Sequence, residues 1–407
     1  MTQARRGDGP RQPADRSWRT DRRWQAGLLL GTAIGAVVAV AGRRAERSAR
    51  EGLVDWPAVE RAAGRRLRAA PGALSAEELA AVGPEYTRAM EQIVPRLEEA
   101  LGVVLPGVVE RTAVVDRAGW VQANIASFAH LIERIEADLL DQIVPPGGGL
   151  GRAAVALANR FVTTQQLGFL LGFMGTKVLG QYDLALLAVG PTDGRVLFVE
   201  ENIRATARSL GVPLGPFRTW IALHETTHAF EFEAHPWLRP YLAERLERQL
   251  SLLTQDADLV GRDGLRALGR RLREDGAADH WMERLMGEEQ RRLFRETQAV
   301  MSLLEGFSDY VMDEVGRDLV PDVERISARF HERREQRTTF ERVVMRLTGL
   351  DLKMAQYKKG ERFVRAVADA AGPPALARLW ESPETLPTFA EIDDPAAWVR
   401  RVMRSDA

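Results

Sequence analysis

The stretch from Phe217 to Phe232 constrains the fold and function of this chain most, because its two histidines and one glutamate have the spacing of a zinc-binding motif. His224 and His228 are four residues apart, so on an α-helix they share a face and can bind one zinc ion together. Glu225 follows the first histidine and can act as general base toward a metal-bound water. The stretch is largely apolar and lacks glycine and proline. It therefore predicts a zinc-binding helix in the core; the alternative is a partly exposed helix with two ordinary histidines.

The composition narrows which metal ligands and partners are available. The 407 residues contain no cysteine, so disulfides and thiolate metal sites are excluded. Zinc must then be held by His, Asp or Glu, which is the ligand set of hydrolytic zinc enzymes. The formal net charge of −1 gives no electrostatic reason to expect a nucleic-acid partner.

The third zinc ligand predicted from the sequence is Glu305. This carboxylate lies in an otherwise apolar helical stretch, 303–312, where a charge needs a partner. His235 is an alternative, but it lies eleven residues beyond His224, one too far for the metzincin pattern. Glu231 is a poorer alternative, since it would point along the helix. Two histidines and a glutamate would leave the fourth zinc position open for water.

Two further side chains are assigned roles around the predicted zinc ion. Asp309 follows Glu305 by four residues, on the same helix face, and can accept a hydrogen bond from the second ring nitrogen of a ligand histidine. An oxyanion formed on a substrate carbonyl needs a tyrosine, histidine or arginine beside the metal. Tyr357 is the candidate for this catalytic role. The alternatives are Tyr310, His280 and Arg218.

The N-terminal region differs in composition from the rest of the chain. Residues 1–25 are polar and arginine-rich and are predicted to form a disordered basic tail. Residues 26–44 are predicted to form an apolar helix, in which the uncharged run 26–42 barely reaches the length of a membrane span. This run is a membrane anchor, an export signal or a helix packed on the protein itself. The protein is accordingly expected to be cytoplasmic or membrane-tethered.

Residues 51–407 are expected to form one domain that is mainly α-helical, with a small β-hairpin or sheet beside the zinc helix. Strands are predicted at Asp183 to Val189 and Arg195 to Val199, separated by a turn. Such a strand edge could pair with an extended substrate, or it could simply cover the core. Ser75 begins a capping-box motif, and Pro84 can open the next helix. Later helices are predicted at 240–253, 280–315, 323–347, 361–371 and 396–402.

Several longer motifs occur in the order found in a known family. The chain resembles, from roughly Leu53 to Val402, the zincin-like metallopeptidases often labelled only as hydrolases or as associated with deazaflavin coenzyme biosynthesis. The resemblance implies a mostly helical zincin fold, a zinc site at His224, His228 and Glu305, and a catalytic Glu225. The motifs that carry it are residues 115–124, 178–183, 217–228, 235–239, 304–306, 349–353 with 356–357, and 383–388.

The motifs together predict a zinc-dependent hydrolase, foremost a metallopeptidase that cleaves a peptide or protein substrate with Zn²⁺ as cofactor. A non-catalytic binding or scaffolding protein on the same fold is the alternative, since fold and metal do not establish turnover. Hydrolysis of a non-peptide amide is a third possibility.

Overall fold

The computed structural model describes residues 52–143, 150–182, 194–257, 286–335 and 350–403. These residues form a mostly helical fold with a small three-stranded sheet, so the predicted mainly α fold class is confirmed. The helices are α1 (Trp56–Ala69), α2 (Ala76–Leu101), α3 (Arg117–Ile143), α4 (Leu150–Gly175), α5 (Glu200–Leu210), α6 (Leu214–Glu233), α7 (Leu238–Ala257), α8 (Glu288–Leu319), α9 (Val323–Glu335), α10 (Leu350–Ala371), α11 (Phe389–Asp393) and α12 (Pro395–Met403), with 3₁₀ turns at Pro373–Trp380 and Pro383–Thr385. The strands are β1 (Thr112–Val115), β2 (Gly180–Tyr182) and β3 (Val196–Val199).

Several predictions fall outside the described residues. These are the basic tail 1–25, the apolar segment 26–44 and the predicted strand 183–189. His280 also lies outside them. Within the described ranges, no helix combines the length and apolar character needed to cross a membrane.

Helix α2 shows how burial overrides a local proline signal. It begins at the predicted capping box, in which the Ser75 hydroxyl accepts a hydrogen bond from the Glu78 backbone N–H at 3.1 Å. The expectation that Pro84 opens a new helix is wrong, because α2 runs through it to Leu101. A proline inside a helix removes one hydrogen bond. Here a buried stripe continues on both sides of it: Val82, Tyr86, Met90, Ile93, Val94 and Leu97.

The sheet has the order β1-β3-β2, with β3 in the centre and fully buried. β1 pairs with β3 in parallel, whereas β2 pairs with it antiparallel, with Gln181 opposite Leu197. The predicted strand at 195–199 is therefore present as β3. Its described antiparallel partner is β2, which ends just before the predicted strand at 183–189. Among the described strands, β2 forms one edge of the sheet.

Helix α6 lies in the core and is buried on nearly every side, by α2, α5, α8, α9 and the sheet. An ion-pair network fixes its first half. The Arg218 guanidinium contacts the fully buried carboxylate of Glu200, which also accepts a hydrogen bond from the Tyr86 hydroxyl at 2.8 Å. Arg218 also pairs with Glu85. Since these contacts join α6 to α2 and α5, Arg218 has a structural role.

Helices α8 and α10 approach each other closely at two glycines. A Cβ atom added to Gly306 would lie 2.1 Å from the carbonyl carbon of Gly360. A Cβ atom added to Gly360 would lie 1.8 Å from the carbonyl oxygen of Ser302. The backbones are thus in direct contact one residue after Glu305, and this contact fixes the position of that part of α8.

Candidate metal centre

Three predicted ligands converge although they come from two separate helices. His224 and His228 lie on α6 and Glu305 lies on α8. Glu305 Oε2 is 3.7 Å from His224 Nε2 and 3.8 Å from His228 Nε2. Four donors at about 2.1 Å from a tetrahedral zinc ion would lie roughly 3.4 Å from one another. The His₂Glu donor set therefore has both the chemistry and approximately the spacing of a zinc site.

The three side chains are partly exposed to solvent. Their exposed fractions are 16% for His224, 15% for His228 and 12% for Glu305. A closed structural site would surround the metal with four protein ligands. Among the described residues, these three are the only cluster of at least three such donors with metal-binding spacing. The arrangement thus matches an open zinc site that retains a position for water or substrate.

The second nitrogen of each histidine ring contacts another buried side chain. His228 Nδ1 lies 2.7 Å from Glu231 Oε2, and His224 Nδ1 lies 3.2 Å from the sulfur of Met312. Both rings therefore direct Nε2 toward Glu305, and they direct Nδ1 toward Glu231 or Met312. Glu231 is not a third metal ligand in this arrangement, since its carboxylate lies on the far side of the His228 ring.

Glu225 lies against the edge strand of the sheet. Its Oε2 accepts a hydrogen bond from the backbone N–H of Tyr182 at 3.0 Å. A Cβ atom added to Gly180 would lie 2.6 Å from Cγ of Glu225 and 2.9 Å from its Oε1, so only glycine fits there without movement. Strand β2 therefore positions the predicted general base.

Several carboxyl groups lie close together around His228, where little water reaches them. Burial raises the pKa of Glu225 to about 7; His228 and the Tyr182 N–H oppose the rise, and Glu305 adds to it. Burial likewise raises the pKa of Glu231 to about 7. Burial lowers the pKa of His228, but Glu231, Glu305 and Glu225 outweigh it and raise that pKa to about 10. The carboxylates around His228 therefore favour positive charge on this ring.

The tyrosine at the end of β2 also joins the sheet to α6. The Tyr182 hydroxyl donates a hydrogen bond to Glu233 Oε1 at 2.9 Å, and Arg239 donates to the same hydroxyl at 2.5 Å. Arg111 completes the group with an ion pair to Glu233 at 2.8 Å. Tyr182 thus contacts α6 at two places, through its backbone at Glu225 and through its side chain at Glu233.

The other predicted residues lie at varied places. Asp309 is buried on α8, one turn after Glu305, and its role in orienting a histidine stays a prediction. Tyr357 lies on α10, but its side chain is outside the described set, so its role also stays a prediction. The His235 ring stacks on the Trp380 ring, with 5.3 Å between the ring centroids, and His235 Nδ1 contacts the Glu231 carbonyl oxygen at 2.8 Å. His235 therefore caps the end of α6.

Sequence reasoning missed three residues that surround these side chains. Glu231 was considered only as a ligand, although its spacing of three residues from His228 would have predicted a contact on the same helix face. Gly180 and Tyr182 contact Glu225 across more than 40 residues of sequence, and no local spacing indicates such a contact. Their only signal was their place in the shared motif 178–183.

Comparisons with known proteins found one matching family model and one similar solved structure. A family model described as zincin-like metallopeptidase matches residues 54–399. A crystal structure of a "putative hydrolase with a novel fold" from Chloroflexus aurantiacus is 37% identical in sequence, with a TM-score of 0.64. The match covers 86% of this chain and 99% of that one. Among curated proteins, none matches the chain.

The family match spans nearly all of the described residues and includes both helices of the metal centre. It also agrees with the resemblance noted between Leu53 and Val402. The chain therefore belongs to the zincin-like metallopeptidase family.

Proposed function

We propose that this protein is a zinc-dependent hydrolase that cleaves peptide bonds. The observation that carries the proposal is the adjacency of two elements: an open His₂Glu donor set and a buried carboxylate, Glu225, which follows the ligand His224 on α6. Hydrolytic zinc enzymes use three protein ligands and a neighbouring general base. Family membership and the hydrolase description of the solved relative support the same reaction class.

His224, His228 and Glu305 would hold the zinc ion. When bound, zinc would polarise the scissile carbonyl and lower the pKa of the attacking water. Glu225 takes a proton from that water and delivers it to the leaving amine. The Tyr182 N–H holds Glu225 in place for both transfers. Gly180 allows the strand to lie directly against the Glu225 side chain.

A peptide or protein substrate is supported by the position of strand β2. Within the described sheet, this strand forms an edge and lies beside Glu225, the proposed general base. An exposed strand edge can pair with an extended peptide through backbone hydrogen bonds. A substrate that binds there would place its backbone next to the metal centre.

The test compares wild type with Glu225→Gln, which keeps the shape of the side chain but removes the base. Zinc content is measured by elemental mass spectrometry, and cleavage is measured on a diverse peptide library. We expect both proteins to bind zinc and only the wild type to cleave. Glu244→Gln, an exposed glutamate on α7, is the matched control and should behave as wild type.

Undiminished cleavage by Glu225→Gln would refute the proposed mechanism. Zinc binding by the wild type without cleavage of any peptide or other amide would favour the binding-protein alternative.

A further inference from the structure

One carboxylate at the centre has no part in the chemistry proposed above. Glu231 is 1% exposed, and its Oε2 lies 2.7 Å from Nδ1 of His228. The other nitrogen of this ring, Nε2, faces Glu305. A neutral imidazole that binds a metal through Nε2 carries its proton on Nδ1. Glu231 is placed to accept a hydrogen bond from this Nδ1–H group. That hydrogen bond would select this tautomer and fix the plane of the ring.

Glu231 also contacts the second helix of the metal centre. Its other oxygen, Oε1, accepts a hydrogen bond at 3.3 Å from the hydroxyl of Ser308, which is fully buried on α8. The Ser308 oxygen is 3.3 Å from His228 Nδ1 as well. Ser308 lies three residues after Glu305, so this contact links the helix of the histidines to the helix of the glutamate.

We propose that Glu231 is the positioning residue of the metal centre: it fixes the tautomer and orientation of His228 and, through Ser308, aligns the two ligand helices. The inference rests on the proposed function, because it assumes that zinc binds at His228. It assigns to Glu231 a role that the sequence pattern suggested for Asp309.

The affinity test uses the full chain and three variants. Zinc affinity is measured by competition with a chromogenic chelator at one pH, and circular dichroism checks folding. Loss of a carboxylate that orients a ligand histidine typically weakens metal binding by about 10- to 100-fold. We expect a loss of that size in Glu231→Gln and a smaller loss in Ser308→Ala. Glu233→Gln is the matched control, because Glu233 lies on the same helix but contacts Arg111 and Tyr182, and it should leave affinity unchanged.

A spectroscopic readout separates positioning from a general effect on the fold. The zinc-loaded protein is labelled with ¹⁵N-histidine, and the His→Gln changes at His130, His235, His280 and His331 leave only the metal-binding pair. We expect His228 to carry its proton on Nδ1, with the downfield proton shift of a strong hydrogen bond. In Glu231→Gln this resonance should move upfield, whereas Glu233→Gln should not change it.

The outcomes distinguish the two proposals. Zinc bound as tightly by Glu231→Gln as by wild type, with an unchanged His228 resonance, would overturn the role of Glu231 and leave the zinc hydrolase proposal intact. A wild type that binds no zinc would overturn both. If Glu231→Gln does not fold, the wild-type spectrum decides: a His228 proton on Nε2, or one on Nδ1 without the strong hydrogen bond, would overturn the inference.

Discussion

The close contact between α8 and α10 makes Gly306 a sensitive position for both stability and metal binding. In Gly306→Ala, the new Cβ atom would lie 2.1 Å from the Gly360 carbonyl carbon, whereas ordinary contact begins at 3.4 Å. The helices must therefore separate by about 1.3 Å, against backbone atoms that cannot rotate away. Overpacking of this kind costs about 1–3 kcal/mol, and the rigidity of the contact places the cost at the upper end.

A gain in helix propensity partly offsets this cost. Alanine is more favourable than glycine inside a helix by about 1 kcal/mol. The expected net loss is then about 2 kcal/mol in the free energy of unfolding, or roughly a 30-fold change in the folding equilibrium. Since Glu305 precedes Gly306, the same displacement should also weaken zinc binding.

The measurement is urea unfolding followed by circular dichroism, together with zinc affinity by chelator competition. Gly64→Ala is the matched control: its Cβ atom would meet only the flexible end of Arg68 at 3.2 Å. The control should be unchanged or stabilised by about 0.5–1 kcal/mol. If Gly306→Ala is as stable as the control and binds zinc equally well, the packing argument is wrong.

Three other perturbations test separate parts of the structure. Gly180→Ala should push the Glu225 side chain by up to about 1 Å and lower kcat/KM by about 100-fold, with zinc content unchanged; equal activity would contradict the close contact. Ser75→Ala should cost about 1 kcal/mol in unfolding free energy, measured by urea titration, because the cap of α2 is lost; a change below a few tenths of that value would contradict the capping role. Burial would raise the pKa of Glu391, but hydrogen bonds from Arg401 and from the backbone hold this pKa below 4.5. The ionised carboxylate therefore stabilises the fold above that pH, and this stabilisation is lost as the pH falls. Arg401→Gln should therefore be less stable than wild type at pH 7, and the difference should shrink below pH 4.5; a constant difference would contradict the linkage.

The metal ligands could be predicted because each has a local signal. The histidine pair shows the helical spacing of four residues, and Glu305 is conspicuous as a charge among apolar neighbours. Their meeting, however, depends on how α6 and α8 pack. The glycine contact of α8 with α10 fixes part of that packing, and it involves two residues 54 positions apart in sequence.

Other features could not be predicted because they depend on tertiary contacts. Pro84 was expected to start a helix, but the buried stripe of α2 continues past it. The strand predicted at 183–189 lies outside the described residues; the described antiparallel partner of β3 is β2, which also contacts Glu225 on α6. Helix α10 begins at Leu350, eleven residues before the predicted start.

The central claim is that His224, His228 and Glu305 form a zinc site, and zinc content tests it most directly. The full chain is purified as wild type and as Glu305→Ala, reconstituted with zinc, and analysed by elemental mass spectrometry. The account predicts about one zinc per wild-type chain and a large loss in the variant. Wild-type protein without zinc after reconstitution, or a variant that retains it in full, would contradict the account.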